Sequence, residues 1–181
     1  MSEPAGASAP PSSPREVFVA DEQAAVAVDG TRYAALARHV LDAEKVRAEA
    51  ELSVMFVDDV TMADLHLRFL GLEGPTDVLA FPMDEEFAES GRQPDQGGRG
   101  PGAPPEPSDP PIVVGDVVVC PAVAARQAAE RGHDVRDEID LLVVHGVLHL
   151  LEYDHIDVED EGAAMRRRER ELLDSFRSEH G

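Results

Sequence analysis

The sequence predicts an α+β fold: a single domain with a small mixed β-sheet, helices packed against it, and a three-histidine metal site at the end of a central helix. Three observations point there. Strand-like and helix-like segments are interleaved without the regular βαβ spacing of a doubly wound sheet. At 181 residues the chain is long enough for one core of ordinary domain size and short for two. The segment from Arg136 to Leu151 is apolar nearly all round, as a helix running through the middle of a domain would be.

The elements follow in order. Residues 1–14 are small, polar and proline-rich, a composition that buries too little apolar area to offset its ordering entropy, so they read as a disordered tail ahead of a domain at 15–181. Glu16 to Ala20 reads as a strand. Residues 31–48 carry Tyr33, Leu36, Ala37, Val40 and Leu41 at i, i+3, i+4, i+7 and i+8, one buried helical stripe. Residues 52–57 (LSVMFV) form a β-rich run that reads as a strand buried on both faces. Thr61 is placed as the N-cap of a short helix, with Asp64 completing an imperfect capping box and Gly71 ending the helix after Leu70. Residues 77–81 and 112–119 supply two more strands, separated by a Pro- and Gly-rich stretch at 88–111 that reads as a flexible insertion inside the domain. Pro121 opens a helix that Gly132 terminates. After the central helix, a last one spans about 159–177, with Met165, Leu172, Leu173 and Phe176 on one side.

The net charge is −21, from 37 acidic and 16 basic residues, which argues against a protein that coats nucleic acid by broad counterion release but leaves room for a small basic groove. DNA is not an expected partner. The single cysteine, Cys120, excludes an intramolecular disulfide and fits a reducing cytoplasm. No stretch approaches the ~18 apolar residues of a membrane span, and the N-terminus lacks a basic start with an apolar run after it. A cytoplasmic protein without a membrane partner is expected.

Three of the seven histidines, His145, His149 and His155, fall within eleven residues (HGVLHLLEYDH). Four residues of α-helix advance about 400° and roughly 6 Å, so His145 and His149 share one face. His155 reaches the same ion only if the helix stops soon after His149 and the chain turns back. Three histidines leave a fourth tetrahedral position open, which is how catalytic zinc is held, whereas structural zinc is usually closed by four protein ligands. The spacing is also that of the metzincin proteases, whose motif places a general-base glutamate where this chain has Gly146 and a turn glycine where it has Glu152.

With Gly146 and its neighbours in view, the segment resembles the signature of the YbeY family, H-G-x-L-H-L-x-G-Y-D-H. Upstream, Gly74-Pro-Thr-Asp-Val-Leu-Ala-Phe-Pro82 is similar to the family's T-D/N-V-L-S-F-P strand, and Gly115-Asp-Val-Val-Val-Cys120 to its G-D-I-x-I-C strand. The likeness covers about Val17 to Phe176. It implies a metal-dependent, single-strand-specific endoribonuclease, a hydrolase of phosphodiester bonds acting in 16S rRNA 3′-end maturation and ribosome quality control. It also implies one zinc ion on His145, His149 and His155, with single-stranded rRNA and the ribosomal small subunit as partners. A family arginine beside the metal lies in a Leu-Asn-x-x-Tyr-Arg stretch, which here reads Leu65-His66-Leu67-Arg68-Phe69-Leu70. Leu70 thus occupies the arginine position, and Arg68 is the nearest catalytic substitute. On a regular helix residues 68 and 70 point about 200° apart, so Arg68 serves only where the helix has frayed or rotated.

Two alternatives stay open. One is a non-catalytic ribosome-assembly factor whose zinc is structural; the other, which Gly146 argues against, is a metzincin-like metallopeptidase. Attack by water and attack by the RNA's own 2′-hydroxyl are equally compatible with the motif. Asp154 reads either as a partner orienting a histidine or as a turn aspartate. The cluster Arg166-Arg-Arg-Glu-Arg170 reads as a solvated face laced by pairs such as Arg167 with Glu171, with RNA contact the less favoured role.

Overall fold

The computed structural model describes residues 15–46, 49–83, 112–151 and 161–180, which form four strands and five helices. In chain order they are β1 (Glu16–Glu22), α1 (Gly30–Ala43), β2 (Ala50–Val57), α2 (Asp59–Leu70), β3 (Val78–Pro82), β4 (Ile112–Val119), α3 (Pro121–Arg131), α4 (Val135–Leu150) and α5 (Glu161–His180). The strands make one sheet in the order β1-β2-β4-β3. β1 and β4 both run parallel to β2, and β3 runs antiparallel to β4, so the sheet is small and mixed as the sequence predicts. The tail at 1–14 and the insertion at 88–111 lie outside the described residues.

The period-2 alternation of β2 explains how the sheet is covered. Leu52, Val54 and Phe56 face one side and are fully buried with Leu36, Val40 and Leu41 of α1, Val143, Val144 and Val147 of α4, and Leu172 and Phe176 of α5. On the other side Met55 and Val57 join a smaller cluster with Met62 of α2, Leu79, Val118 and Cys120. Both faces are therefore covered, unequally. α4 is the central helix: it packs against α1, α3, α5, β3 and β4. None of the helices among the described residues is long and apolar enough to cross a membrane.

Of the helix ends that differ from the sequence reading, two have a clear local reason. α1 stops at Ala43 instead of running to 48. Lys45 takes a left-handed φ of 56°, its N–H bonds back to Asp42, and the Val46 N–H bonds to the Leu41 carbonyl. These are the two bonds of a Schellman cap, and the buried contact of Val46 with the Leu41 turn explains why an apolar residue here ends the helix. A lysine in the position glycine favours carries strain, so Lys45→Gly is expected to raise stability by about 1 kcal/mol. Urea denaturation checks this; an unchanged or lower midpoint would show that the cap tolerates lysine without cost.

At α2 the N-cap is Asp58, not Thr61. The Asp58 carboxylate accepts the Thr61 N–H at 2.8 Å, and that bond holds the carboxyl below the usual aspartate range. Thr61 lies one turn inside, because an aspartate followed by a second acid, Asp59, suits the electropositive helix start better. Gly71 and Gly132 end their helices with φ of 68° and 73°, as expected from their places in the sequence.

Candidate metal centre and cleft

The site is built at the C-terminal end of α4. Asp134 caps the start of this helix by accepting the Arg136 N–H, and Asp137 and Glu138 occupy its first turn, where negative charge favours the helix dipole. Glu138 is buried, and Arg131 and His133 both pair with it, which ties α3 to α4. The buried stripe then carries the helix across the sheet and leaves His145 and His149 on a half-buried face.

Those two rings are one turn apart, with centroids 4.3 Å apart and planes at 80°. Their Nε2 atoms are 2.9 Å apart. On the other side of the first ring, Nδ1 of His145 lies 2.6 Å from Oε1 of Glu169 on α5. A carboxylate only accepts, so Nδ1 of His145 donates to Glu169; a neutral ring in that tautomer has its lone pair on Nε2, facing Nε2 of His149. The arrangement fits a metal ion. Two imidazole nitrogens bound to tetrahedral zinc at about 2.0–2.1 Å would stand roughly 3.3 Å apart, so these rings need only open slightly as the ion replaces the shared proton. The Glu169 contact is of the carboxylate–histidine kind that would fix such a ring in place were it to hold a metal.

His155 lies outside the described residues, together with Glu152, Tyr153 and Asp154. Among the described residues, no group of three or more His, Cys, Asp or Glu side chains is placed to hold an ion. The structure thus brings together His145 and His149 of the three expected ligands.

A cleft of about 610 Å³ opens beside the two histidines along the edge strand β3, lined by residues of α2, β3 and α4. Leu70 lines it and Arg68 does not. Arg68 is exposed and pairs with Asp64 one turn earlier, at 3.3 Å. α2 remains regular through Leu70, so the fraying that would swing Arg68 toward the position of residue 70 is not seen.

Gly146 is set by packing. A Cβ there would lie 2.6 Å from Cγ1 of Val117, which is fully buried on β4, and 3.4 Å from Val78. Position 146 faces the sheet, so the glutamate of a metzincin motif has no room there. Even Gly146→Ala is expected to destabilise by about 1–3 kcal/mol through overpacking. Thermal melting of that variant alone and with Val117→Ala checks the cause: the second change should recover part of the loss, and its failure to do so would place the strain elsewhere.

Sequence reasoning missed Glu169. It sits among arginines, in a stretch that reads as solvated. Its helical spacing gave a usable signal, because Met165, Glu169, Leu172, Leu173 and Phe176 fall at i, i+4, i+7, i+8 and i+11, and the structure buries all five. A glutamate inside an apolar stripe requires a partner. The expected pairing of Arg167 with Glu171 is also replaced: Arg168 bonds Glu171 at 3.0 Å and Glu44 of the residues following α1 at 2.6 Å, since its place on α5 turns it toward α1.

Comparison with known proteins gives the chain's family and fold relatives. A sequence model of the family described as Endoribonuclease YbeY matches residues 18–177. A relative named Endoribonuclease YbeY from Thermobifida fusca is 51% identical over 161 residues, covering 89% of this chain and 94% of the relative. Another of that name, from Frankia casuarinae, is 50% identical over 145 residues, covering 80% of this chain and 67% of the relative. The solution structure of a Thermotoga maritima protein has a similar fold, with a TM-score of 0.53 at 21% identity over 90% of this chain and 93% of its own. With about half of the aligned residues identical to those of such relatives and the family's pattern running from Phe18 to Arg177, the chain belongs to the YbeY endoribonuclease family.

Proposed function

We propose that this protein is a cytoplasmic zinc-dependent endoribonuclease that cleaves single-stranded rRNA, acting at the 16S rRNA 3′ end during small-subunit maturation and in ribosome quality control. One observation carries the chemistry: two imidazole Nε2 atoms converge 2.9 Å apart at an open cleft, one of them held by a buried carboxylate. The substrate class is supported by the endoribonuclease name of the relatives.

In this reading His145, His149 and His155 hold one zinc ion, with His155 assigned by its spacing and by resemblance. When bound, the ion would supply Lewis acidity to a phosphoryl oxygen or an attacking water. Glu169 keeps His145 in the tautomer whose lone pair faces the ion. Arg68, which lies outside the cleft lining, is the proposed cation toward a substrate phosphate only where the last turn of α2 unwinds as RNA binds. Its pairing with Asp64 is an exposed i,i+4 contact worth about 0.3–0.5 kcal/mol, which a phosphate can displace. The leucine at position 70 keeps one competing reading in play, an assembly factor with a structural zinc.

The test is metal content together with cleavage of an unstructured RNA, for the wild-type protein with and without chelator and for His149→Ala. One zinc per chain and cleavage lost on chelation support the enzyme. Equal cleavage by metal-free and metal-loaded protein would sink it. Bound zinc without any cleavage, with unfolding on removal, would favour the structural role.

A further inference from the structure

The cleft offers RNA little that is ionic. Among the described residues lining it, only His145 and His149 have polar side chains, and the wall is otherwise apolar, from Phe69 and Leu70 to Phe81 and Leu150. The net charge of −21 also opposes attraction of a polyanion. A single strand held in such a place must be held largely by its bases.

Phe69 has the position and the exposure for that task. It stands on the last turn of α2 with 60% of its surface open to solvent, and its ring meets Phe81 at 4.8 Å between centroids with planes at 60°. Phe81 is fixed on β3 by the ladder with β4, where it lies opposite Asp116. The ring of Phe69 is therefore braced by this edge-to-face contact, with most of its area uncovered. Exposed Leu70 beside it extends the apolar surface toward the two histidines.

We infer that Phe69 is a stacking platform for one nucleobase of a single-stranded RNA, seated in the cleft that leads to His145 and His149. The inference rests on the endoribonuclease reading above and adds to it a source of strand selectivity. A base inside a duplex has both faces covered, so a platform of this kind accepts only an unstacked base. Stacking of a base on an aromatic side chain is sequence-tolerant, which suits an enzyme that selects strandedness over sequence.

The test uses the full chain with its metal and a short unstructured RNA carrying 2-aminopurine, whose fluorescence is quenched on stacking. Phe69→Ala is expected to raise KM roughly 5- to 100-fold, with a smaller change in kcat and loss of the quenching. Phe69→Trp should keep both, and Leu72→Ala, an exposed apolar residue outside the cleft lining, should change neither. The salt dependence of wild-type binding should be shallow, because few phosphates are neutralised. Wild-type KM and quenching in Phe69→Ala would overturn the platform while leaving the endoribonuclease reading intact. A change in self-association alone would assign the surface to a second copy of the chain and also overturn it. Absence of RNA cleavage by the wild-type protein would instead remove the reading on which the inference rests.

Discussion

His149→Ala is expected to abolish RNA cleavage and metal binding while leaving the protein folded. The residue is on a half-buried face near the C-terminal end of α4, and alanine is the best helix former, so backbone and core lose little. What disappears is one of the two nitrogens that converge at the cleft. Glu169 provides a graded comparison. Loss of an outer partner to a metal-binding histidine costs about 10- to 100-fold in metal affinity or activity. Glu169→Ala should fall in that range, and His149→Ala should exceed it. Glu169→Gln keeps an oxygen that can accept from Nδ1 of His145 but loses the charge, so it should lie between Glu169→Ala and wild type. Equilibrium dialysis against zinc, cleavage rates and circular dichroism separate these effects. A His149→Ala protein that cleaves at the wild-type rate would remove the metal centre from the mechanism. Equal losses in Glu169→Gln and Glu169→Ala would mean that the charge of Glu169, not its hydrogen bond, holds the ring.

How much of this was legible in the sequence depends on whether a residue's role is local. The stripe of Tyr33, Leu36, Val40 and Leu41, the glycines at 71 and 132, and the β-rich run at 52–57 each express a rule spanning a few neighbours, and each is placed as predicted. The i, i+4 spacing of His145 and His149 is equally local, and it set the two nitrogens together. Roles that depend on a distant partner were not visible. Val46 ends α1 because it folds back into the core beside Leu41, and Glu169 is an anchor because α5 lies beside α4. In the sequence Gly146 was informative as a missing glutamate and as part of the family signature; the structure adds that a Cβ there would press on Val117. The motif register placed Leu70 at the family's arginine position, and the structure puts that leucine on the cleft wall. Helical geometry, which sets residues 68 and 70 about 200° apart, holds here: α2 is regular through Leu70 and Arg68 does not line the cleft.

The largest stability effect is expected at Arg32, far from the histidines in sequence and role. Its guanidinium donates to Oδ2 of Asp140 at 2.6 Å and lies 5.1 Å from the centre of the Phe176 ring, joining α1, α4 and α5. Asp140 is 1% exposed, and its second oxygen has no hydrogen-bond partner among the described residues. Arg32→Met would leave that carboxylate buried and uncompensated, a change that typically costs about 3–5 kcal/mol. For a chain of this size that corresponds to a fall of roughly 6–20 °C in Tm. The cost should depend on pH with a definite sign. Burial already pushes the Asp140 carboxyl above the usual range, with Arg32 opposing the shift. The folded protein thus holds this proton to higher pH than the unfolded chain does, and the group's contribution to stability falls as pH rises through that window. Without Arg32 only the weaker pull of Arg177 and Arg136 opposes burial and the window extends upward, so the mutant should lose more stability relative to wild type at pH 8 than at pH 5. Adding Asp140→Ala should recover part of the loss, because a small cavity costs less than a buried unpaired charge. Denaturant melts at both pH values decide the matter: a pH-independent loss, or a double variant less stable than Arg32→Met, would show that Arg32 acts through packing on Phe176 and not through the charge it neutralises.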